Sequence, residues 1–360
     1  MVKASLIWLN YNSISFIDIA LKSIDSLLNL DFDEYEVIIV DNASNDGSFE
    51  RIKNYVEEHR PSDVRVKFVI SDVNRGYAGG NNLGWEARDP ESKYAVFLNN
   101  DLIVELESLK KIIDYMNGEE NLAAANGMLY SLKGNGSRRI YSIGGFGTDL
   151  WSFGNICYGI PEHECPGIDK PHYVTYANGA YMVVKVDAIR SVCSDGKPFI
   201  DETFTYLDDD LLGLILWNRG YRVAYVPVRA GAHLEGMTVG RHGIGLYYST
   251  RASTMRFNIV KTKFYAFRHL YIARRFIGYS LLSIIKWRTH ERYLNMLKGV
   301  RDGLRAYNLI KNKVGILNLH KAPYVPVSVT GALVEYITFG KRKPYRTVTF
   351  DMLKQPQFEE

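Results

Sequence analysis

The chain has 360 residues, 46% hydrophobic and 23% charged, with a net charge of +4. This is the composition of an ordinary globular protein with room for one large domain and an extension, or for two domains. No apolar run reaches the roughly 18 residues needed to span a bilayer. The apolar N-terminal stretch Ala4 to Leu9 is broken by Asn10 and Asn12 with no cleavage site after it, so neither a membrane span nor a signal peptide is expected.

In chain order, Val2 to Leu9 reads as a strand. Asn10-Tyr11-Asn12-Ser13 reads as a turn, and Phe16, Ile17, Ala20, Leu21, Ile24, Leu27 and Leu28 recur at helical spacing. A second strand, Glu36 to Val40, ends at Asp41 and runs into the loop DNASNDGS. A helix through Phe49, Ile52 and Val56 follows, then a third strand, Val66 to Ile70. Asn74 to Asn82, NRGYAGGNN, reads as a glycine-rich loop whose backbone can approach a ligand closely. It is neither the dinucleotide fingerprint nor a P-loop. A fourth strand, Tyr94 to Leu98, leads out through Asn99 and Asn100 to Asp101, with a helix near Leu106 to Met116 beyond it. Strands alternating with helices at this spacing predict an α/β fold with a mainly parallel sheet and right-handed crossovers.

In such a sheet, ligands bind outside the carboxyl ends of the strands. A carboxylate at that place, flanked by amides, can hold a divalent cation against a phosphate. The competing reading of Asp101 is a turn residue before the next helix. Asp41 can accept hydrogen bonds from a nucleobase or ribose, or can simply belong to an Asn-, Asp- and Ser-rich turn.

Residues 134–171, rich in Gly, Tyr and Pro, read as a long irregular segment or small hairpins lining a cleft. Cys157, Cys165 and Cys193 are too few for a disulfide framework and lack metal-site spacing, which points to a reducing compartment and no structural zinc. Ala180 to Val184 is strand-like, Asp208 to Arg219 helical, and Tyr221 to Val226 a strand. Asp208-Asp209-Asp210 at a helix start exceeds what capping needs and offers a general base. His233 in HLEG can contact a cation or a diphosphate oxygen, or serve as a structural histidine.

From Arg241 to His320 there are 16 Lys and Arg against Glu291 and Asp302, a net +14, while the first 240 residues carry −12. Aromatic and aliphatic residues at helical spacing, such as Phe264, Phe267, Leu270 and Tyr271, are interleaved with Arg268, Arg274 and Arg275. This basic extension is read either as a helical subdomain with a solvated face or as a surface lying on anionic lipid.

LNYNS, VDNASNDGS, NRGYAGGNNLG, FLNND, NGAYMV, YLDDDL, GYRVAYVP and HLEG, in that order, resemble the inverting glycosyltransferases of family 2, with the GT-A fold, and most of all their rhamnosyltransferase-like branch. The resemblance covers about Lys3 to Gly240. It implies a catalytic domain over residues 1–240, with a basic, mainly helical extension over residues 241–360. It implies that Asp41 reads the base, with Asn10, Asn74, Gly76 and Asn82 shaping the nucleoside pocket and Asn178 and Gly179 bordering the donor sugar. Asn99-Asn100-Asp101 stands at the family's DxD position, so a Mg²⁺ or Mn²⁺ ion rests mainly on Asp101, with His233 beside it. Asp208 matches the base, while Leu207 replaces the preceding Glu, which leaves Asp209 and Asp210 as competitors.

The implied activity is inverting transfer from a nucleotide-diphosphate sugar to a saccharide or lipid-linked acceptor in glycan biosynthesis. It would take place in the cytoplasm, peripherally at the inner membrane face, with no nucleic-acid partner. A sugar-nucleotide pyrophosphorylase is the first alternative, although NYNSIS stands where its glycine- and arginine-rich loop belongs. A non-catalytic saccharide-binding scaffold is the second.

Overall fold

The structure is a computed structural model that describes residues 2–133, 138–235, 244–274, 277, 290–338 and 347–357. Its centre is a sheet begun by β1 (Ala4–Asn10), β2 (Tyr35–Asp41), β3 (Arg65–Ile70) and β4 (Tyr94–Asn99), which run parallel in the spatial order β3-β2-β1-β4. The connections are α1 (Ile17–Leu28), α2 (Ser48–His59) and α3 (Gly76–Ala87). β2 is buried along its whole length, as its YEVIIVD sequence requires of a strand covered on both faces.

Beyond β4 the sheet becomes mixed. The short β5 (Leu102–Val104), α4 (Ser108–Asn117) and β6 (Leu122–Ser131) come first in the chain, then β7 (Ile140–Ser142), β8 (Gly145–Thr148), β9 (Phe153–Asn155) and β10 (His172–Tyr173). After these come β11 (Tyr181–Lys185), α5 (Val186–Val192), α6 (Asp208–Asn218) and β12 (Arg222–His233). β11 lies antiparallel between β4 and β6, and β12 runs parallel to β6 on its other side. The parallel half is therefore the one built from the first four strands. β6 had no sequence expectation, and β12 runs seven residues past the expected end at Val226.

Residues 74–82 depart from the expected loop. From Gly76 onward they form α3, and its glycines serve packing instead of flexibility. A Cβ at Gly84 would lie 2.3 Å from Ile7 Cγ2, and one at Gly80 would lie 2.6 Å from Leu9 Cδ1, so α3 can press on β1 only with glycine at these points. Gly76 itself has φ +68°, and a Cβ there would meet the Phe204 carbonyl at 2.3 Å.

Two apolar clusters cover the two faces of the sheet. One joins α1, α2 and α4 through Ile24, Leu27, Ile52 and Ile112. The other joins α3, α5 and α6 to the C-terminal part through Trp85, Leu211, Leu214, Phe257, Tyr271 and Ile310. The extension contains α7 (Ile244–Ile259), β13 (Val260–Lys261), α8 (His290–Val314), β14 (Leu317–Asn318), β15 (Tyr324–Val325) and α9 (Val329–Ile337). It is helical as expected, yet it shares the core of the body instead of having its own. β15 pairs with β8, and Trp151 Nε1 donates to the Val260 carbonyl at 2.8 Å.

Among the described residues no helix is long and apolar enough to cross a membrane. Cys157 and Cys165 form a disulfide, with Cα atoms 5.9 Å apart, a separation within the usual range. This corrects the expectation of unpaired cysteines. The turn-rich segment between them brings two residues only eight apart face to face, which spacing alone did not reveal, and the cysteines no longer argue for a reducing compartment.

Candidate active site

Parallel pairing lines up the carboxyl ends of three strands. Asn10 is in register with Asp41, and Leu9 with Asn99. Antiparallel pairing of β5 with β12 then sets His233 opposite Leu102, and Leu234 N–H donates to the Asp101 carbonyl at 3.0 Å. Asp101 and His233, 132 positions apart in the sequence, thus meet. His233 Nε2 is 2.9 Å from Asp101 Oδ1, both side chains are buried, and Asn99 Nδ2 lies 3.3 Å from the same ring nitrogen.

These residues open into a cavity of about 370 Å³, also lined by Asn74, Gly76 and Asn100. Its walls include Tyr11, Tyr77, Tyr141, Phe204 and Tyr248, an aromatic set suited to stacking a base or a sugar. None of these aromatics was singled out from the sequence. Tyr248, on α7, stacks on Phe204 with ring centroids 5.1 Å apart, so the extension helps to close this cavity. Phe204 and Tyr206 both have positive φ, at 66° and 73°. Such backbone strain in non-glycine residues is concentrated at binding sites. Here it aims the Phe204 carbonyl at Tyr77 N–H, 2.7 Å away.

Other expected site residues stand behind the cavity. Asp41 is buried, and its two oxygens accept from Asn10 Nδ2 at 3.0 Å and Ser44 N–H at 2.9 Å. Asn10 Oδ1 accepts from Ser13 Oγ and Asn100 Nδ2. Asp41 and Asn10 therefore brace the strand ends and do not line the cavity. The residue that does so from this loop is the neighbouring Asn42, which bonds Asn74 and the Gly76 carbonyl. Asn82 faces away, donating to the Phe199 carbonyl and Asp201 Oδ1, both at 2.7 Å.

Asn178 donates to Asn155 Oδ1 at 3.0 Å. Gly179 lies between Tyr77 and Asp209. Tyr77 Oη donates to its carbonyl at 2.7 Å, and its N–H donates to Asp209 Oδ2 at 3.1 Å.

The acidic run at the start of α6 divides three ways, because successive helix residues point about 100° apart. Asp208 is buried and accepts a hydrogen bond from Thr203 Oγ1. Asp210 is buried in an ion pair with Arg256. Asp209 alone is partly exposed, on the side of Gly179 and Tyr77. The register expected from the sequence had Asp208 at the acceptor; in the structure Asp208 faces Thr203, and Asp209 sits against Gly179, which the cavity-lining Tyr77 also bonds.

Burial raises all three carboxyls, taking Asp208 and Asp210 to about 7. Asp209 is raised too, against the lowering effect of the Gly179 and Asp210 N–H donors. In an unfolded chain Asp208 would titrate near ~4. Between there and about 7 the folded chain keeps a proton that the unfolded chain releases. Stability must therefore fall as pH rises through this window and level off above it. Asp208→Asn is uncharged throughout and should shrink the drop in melting temperature between about pH 4 and about pH 7. An unchanged drop would mean that Asp208 is not held protonated.

A divalent cation is implied by the resemblance, and the residues present fit it in part. Asp101 supplies a carboxylate and His233 an imidazole at one place, and His233 Nδ1 is buried without a hydrogen-bond partner. Among the described residues no group of three or more His, Cys, Asp or Glu is placed to hold a metal. An ion here would draw its remaining ligands from a diphosphate and water, the usual arrangement for Mg²⁺.

Known structures show the same architecture. Staphylococcus aureus TarS 1–349 in complex with UDP-GlcNAc superposes with a TM-score of 0.53 at 15% identity, covering 85% of this chain and 82% of that one. The mannosyltransferase PcManGT from Pyrobaculum calidifontis, in complex with GDP-Man and Mn²⁺, gives 0.50 at 13% identity, covering 94% and 83%. The fold is thus the GT-A fold of glycosyltransferases. Residues 5–168 match the family described as Glycosyl transferase family 2.

An uncharacterized glycosyltransferase of Haemophilus influenzae is 30% identical over 112 residues, 31% of this chain and 41% of that protein. The putative teichuronic acid biosynthesis glycosyltransferase TuaG of Bacillus subtilis is 27% identical over 112 residues, with the same coverage. The aligned stretch spans less than half the length of these relatives.

Proposed function

We propose that the chain transfers a sugar, with inversion, from a nucleotide-diphosphate sugar to a saccharide or lipid-linked acceptor. The observation that carries this reading is the convergence on one cavity of the Asp101–His233 pair and the aromatic walls, with Asp209 joined through Gly179 to Tyr77 of that wall. The TarS and PcManGT structures were obtained with nucleotide sugars, which supports the donor class.

In this reading the aromatic walls hold the nucleoside, with Asn42, Asn74 and Gly76 shaping its pocket. Asp101 and His233 would hold a divalent cation, which when bound neutralises charge on the leaving diphosphate. Asp209 accepts the proton of the acceptor hydroxyl, whose oxygen bonds to the anomeric carbon as the bond to the nucleoside diphosphate breaks. Attack comes from the face opposite the leaving group, so one carboxylate suffices and configuration inverts. Asp208 and Asp210 position the helix start through Thr203 and Arg256. Thermal melts with a panel of nucleotide sugars and Mn²⁺ or Mg²⁺ test the donor assignment. A true donor at 100 times its dissociation constant should add about 2.7 kcal/mol of stability, and no stabilisation by any of them would reject it.

The same reading places the protein on an anionic membrane surface. On α9, Val329, Leu333 and Ile337 are exposed at a spacing of four residues, and Phe267 and Leu270 are exposed just before and within the neighbouring helical segment 268–274. Arg274 ties that segment to α9 through Glu335, with Nη1 and Oε2 3.1 Å apart. Phe267 and Leu270 lie within residues 241–320, of net +14, and the Arg274–Glu335 contact sets the exposed apolar face of α9 beside that basic stretch, a combination that suits anionic lipid. Binding to vesicles should need anionic lipid, weaken with salt and fall in Leu333→Asp. Equal binding to neutral vesicles, or none to either, would leave only a packed subdomain.

A further inference from the structure

Arg251, on α7, does not line the cavity beside Asp101 and has no part in the proposed reaction, yet it grips that cavity's wall from behind. Its guanidinium donates to two successive main-chain carbonyls, that of Thr203 through Nη1 and that of Glu202 through Nη2. The turn held in this way is strained. Phe204 has φ 66° and ψ −57°, and Thr205 N–H donates to the Thr203 carbonyl at 2.8 Å. Thr203, Phe204 and Thr205 therefore form a γ-turn of the rare kind with positive φ at its centre. The Thr203 carbonyl that closes the turn is the one that Arg251 Nη1 also bonds. A non-glycine residue keeps such a conformation only where its surroundings enforce it.

The turn bears on the cavity because Phe204, Thr205 and Tyr206 all line it. The same backbone bend points the Phe204 carbonyl at the start of α3, where it accepts from Tyr77 N–H at 2.7 Å and Ala78 N–H at 3.3 Å. These are first-turn donors that α3 cannot satisfy from within itself. α7 is seated to hold this arrangement. Tyr248, nearly one turn before Arg251, stacks on the Phe204 ring, and Arg256 donates to the Tyr206 carbonyl at 3.2 Å. Behind α7, α8 comes so close that a Cβ at Gly303 would lie 2.7 Å from the Arg251 carbonyl oxygen. A planar fork of N–H donors can span two neighbouring carbonyls, which suits arginine better than the point charge of lysine.

We infer that Arg251 is a positioning residue, which holds the γ-turn at Phe204, and through it the cavity wall, in the form that binds nucleotide. That the wall binds nucleotide rests on the proposed transferase reading; the grip on the turn does not.

The test pairs hydrogen–deuterium exchange of the free protein with calorimetry using UDP, GDP and dTDP in the presence of Mn²⁺. In Arg251→Met, exchange should quicken around Phe204 and at the start of α3 and stay as in the wild type along the central strands. Nucleoside diphosphate should bind about 5- to 150-fold more weakly, the factor that matches the strain stored in such a residue. Arg251→Lys keeps the charge and can reach one carbonyl, so it should recover part of the loss. In a Phe204→Gly background, where positive φ is freely adopted, Arg251→Met should add little further loss. Unchanged exchange and affinity in Arg251→Met, or the same full loss repeated in the Phe204→Gly background, would overturn the inference. So would exchange quickened throughout the chain with Arg251→Lys no better than Arg251→Met, which marks a general packing role. Local quickening in a protein whose wild type binds no nucleotide would instead remove the transferase reading, and the binding role with it.

Discussion

Asp209→Asn is expected to lower turnover by a factor of about 10² to 10⁴, the usual contribution of a general base, with donor affinity nearly unchanged. Asn keeps the shape and an oxygen that can still accept from Gly179 N–H, so the loop should hold its place. What it loses is the capacity to take the acceptor proton. Asp208→Asn should lose much less, because the Asp208 carboxyl faces Thr203. The measurement is turnover at saturating donor for both variants, with donor affinity determined separately. A dead Asp208→Asn beside an active Asp209→Asn would return the base to Asp208.

The second large effect is expected at Asp101. Asp101→Asn retains a side chain able to hydrogen-bond His233 and removes the negative charge. Titration calorimetry with nucleoside diphosphate should show affinity that depends on Mn²⁺ in the wild type and no such dependence in the variant. Removing a buried partner outright can cost about 1–3 kcal/mol of stability, so the isosteric change separates metal binding from folding. Unchanged metal-dependent affinity in a well-folded Asp101→Asn would take the cation away from this residue.

The strand–helix alternation and the placing of Asp101 at a strand end were legible in the sequence because local patterns set them, while His233 was put beside Asp101 only by the resemblance, since the pairing of β5 with β12 brings the two together. An apolar run ending in polar residues marks where a parallel strand leaves the sheet, whatever packs around it. The readings that changed depend on contacts made elsewhere in the chain. Asp41 looks free in DNASNDGS, but Asn10 and Ser44 use its oxygens. The glycines of NRGYAGGNN suggest a loop until Ile7 and Leu9 are seen packed against them. Three adjacent aspartates cannot be ranked without knowing that Thr203 and Arg256 occupy two of them. Tyr248 closes the cavity beside Asp101 from a helix that its own segment gives no reason to connect with it.

The central claim is that this cavity cleaves a nucleotide-diphosphate sugar. Its most direct test is release of nucleoside diphosphate from UDP-, GDP- and dTDP-sugars with Mn²⁺, first without acceptor and then with candidate saccharides. The account predicts slow release from at least one donor without acceptor, faster release with one, and loss of both on chelation or in Asp101→Asn. Failure to bind or cleave any of these donors, in protein whose melting curve shows it folded, would contradict it.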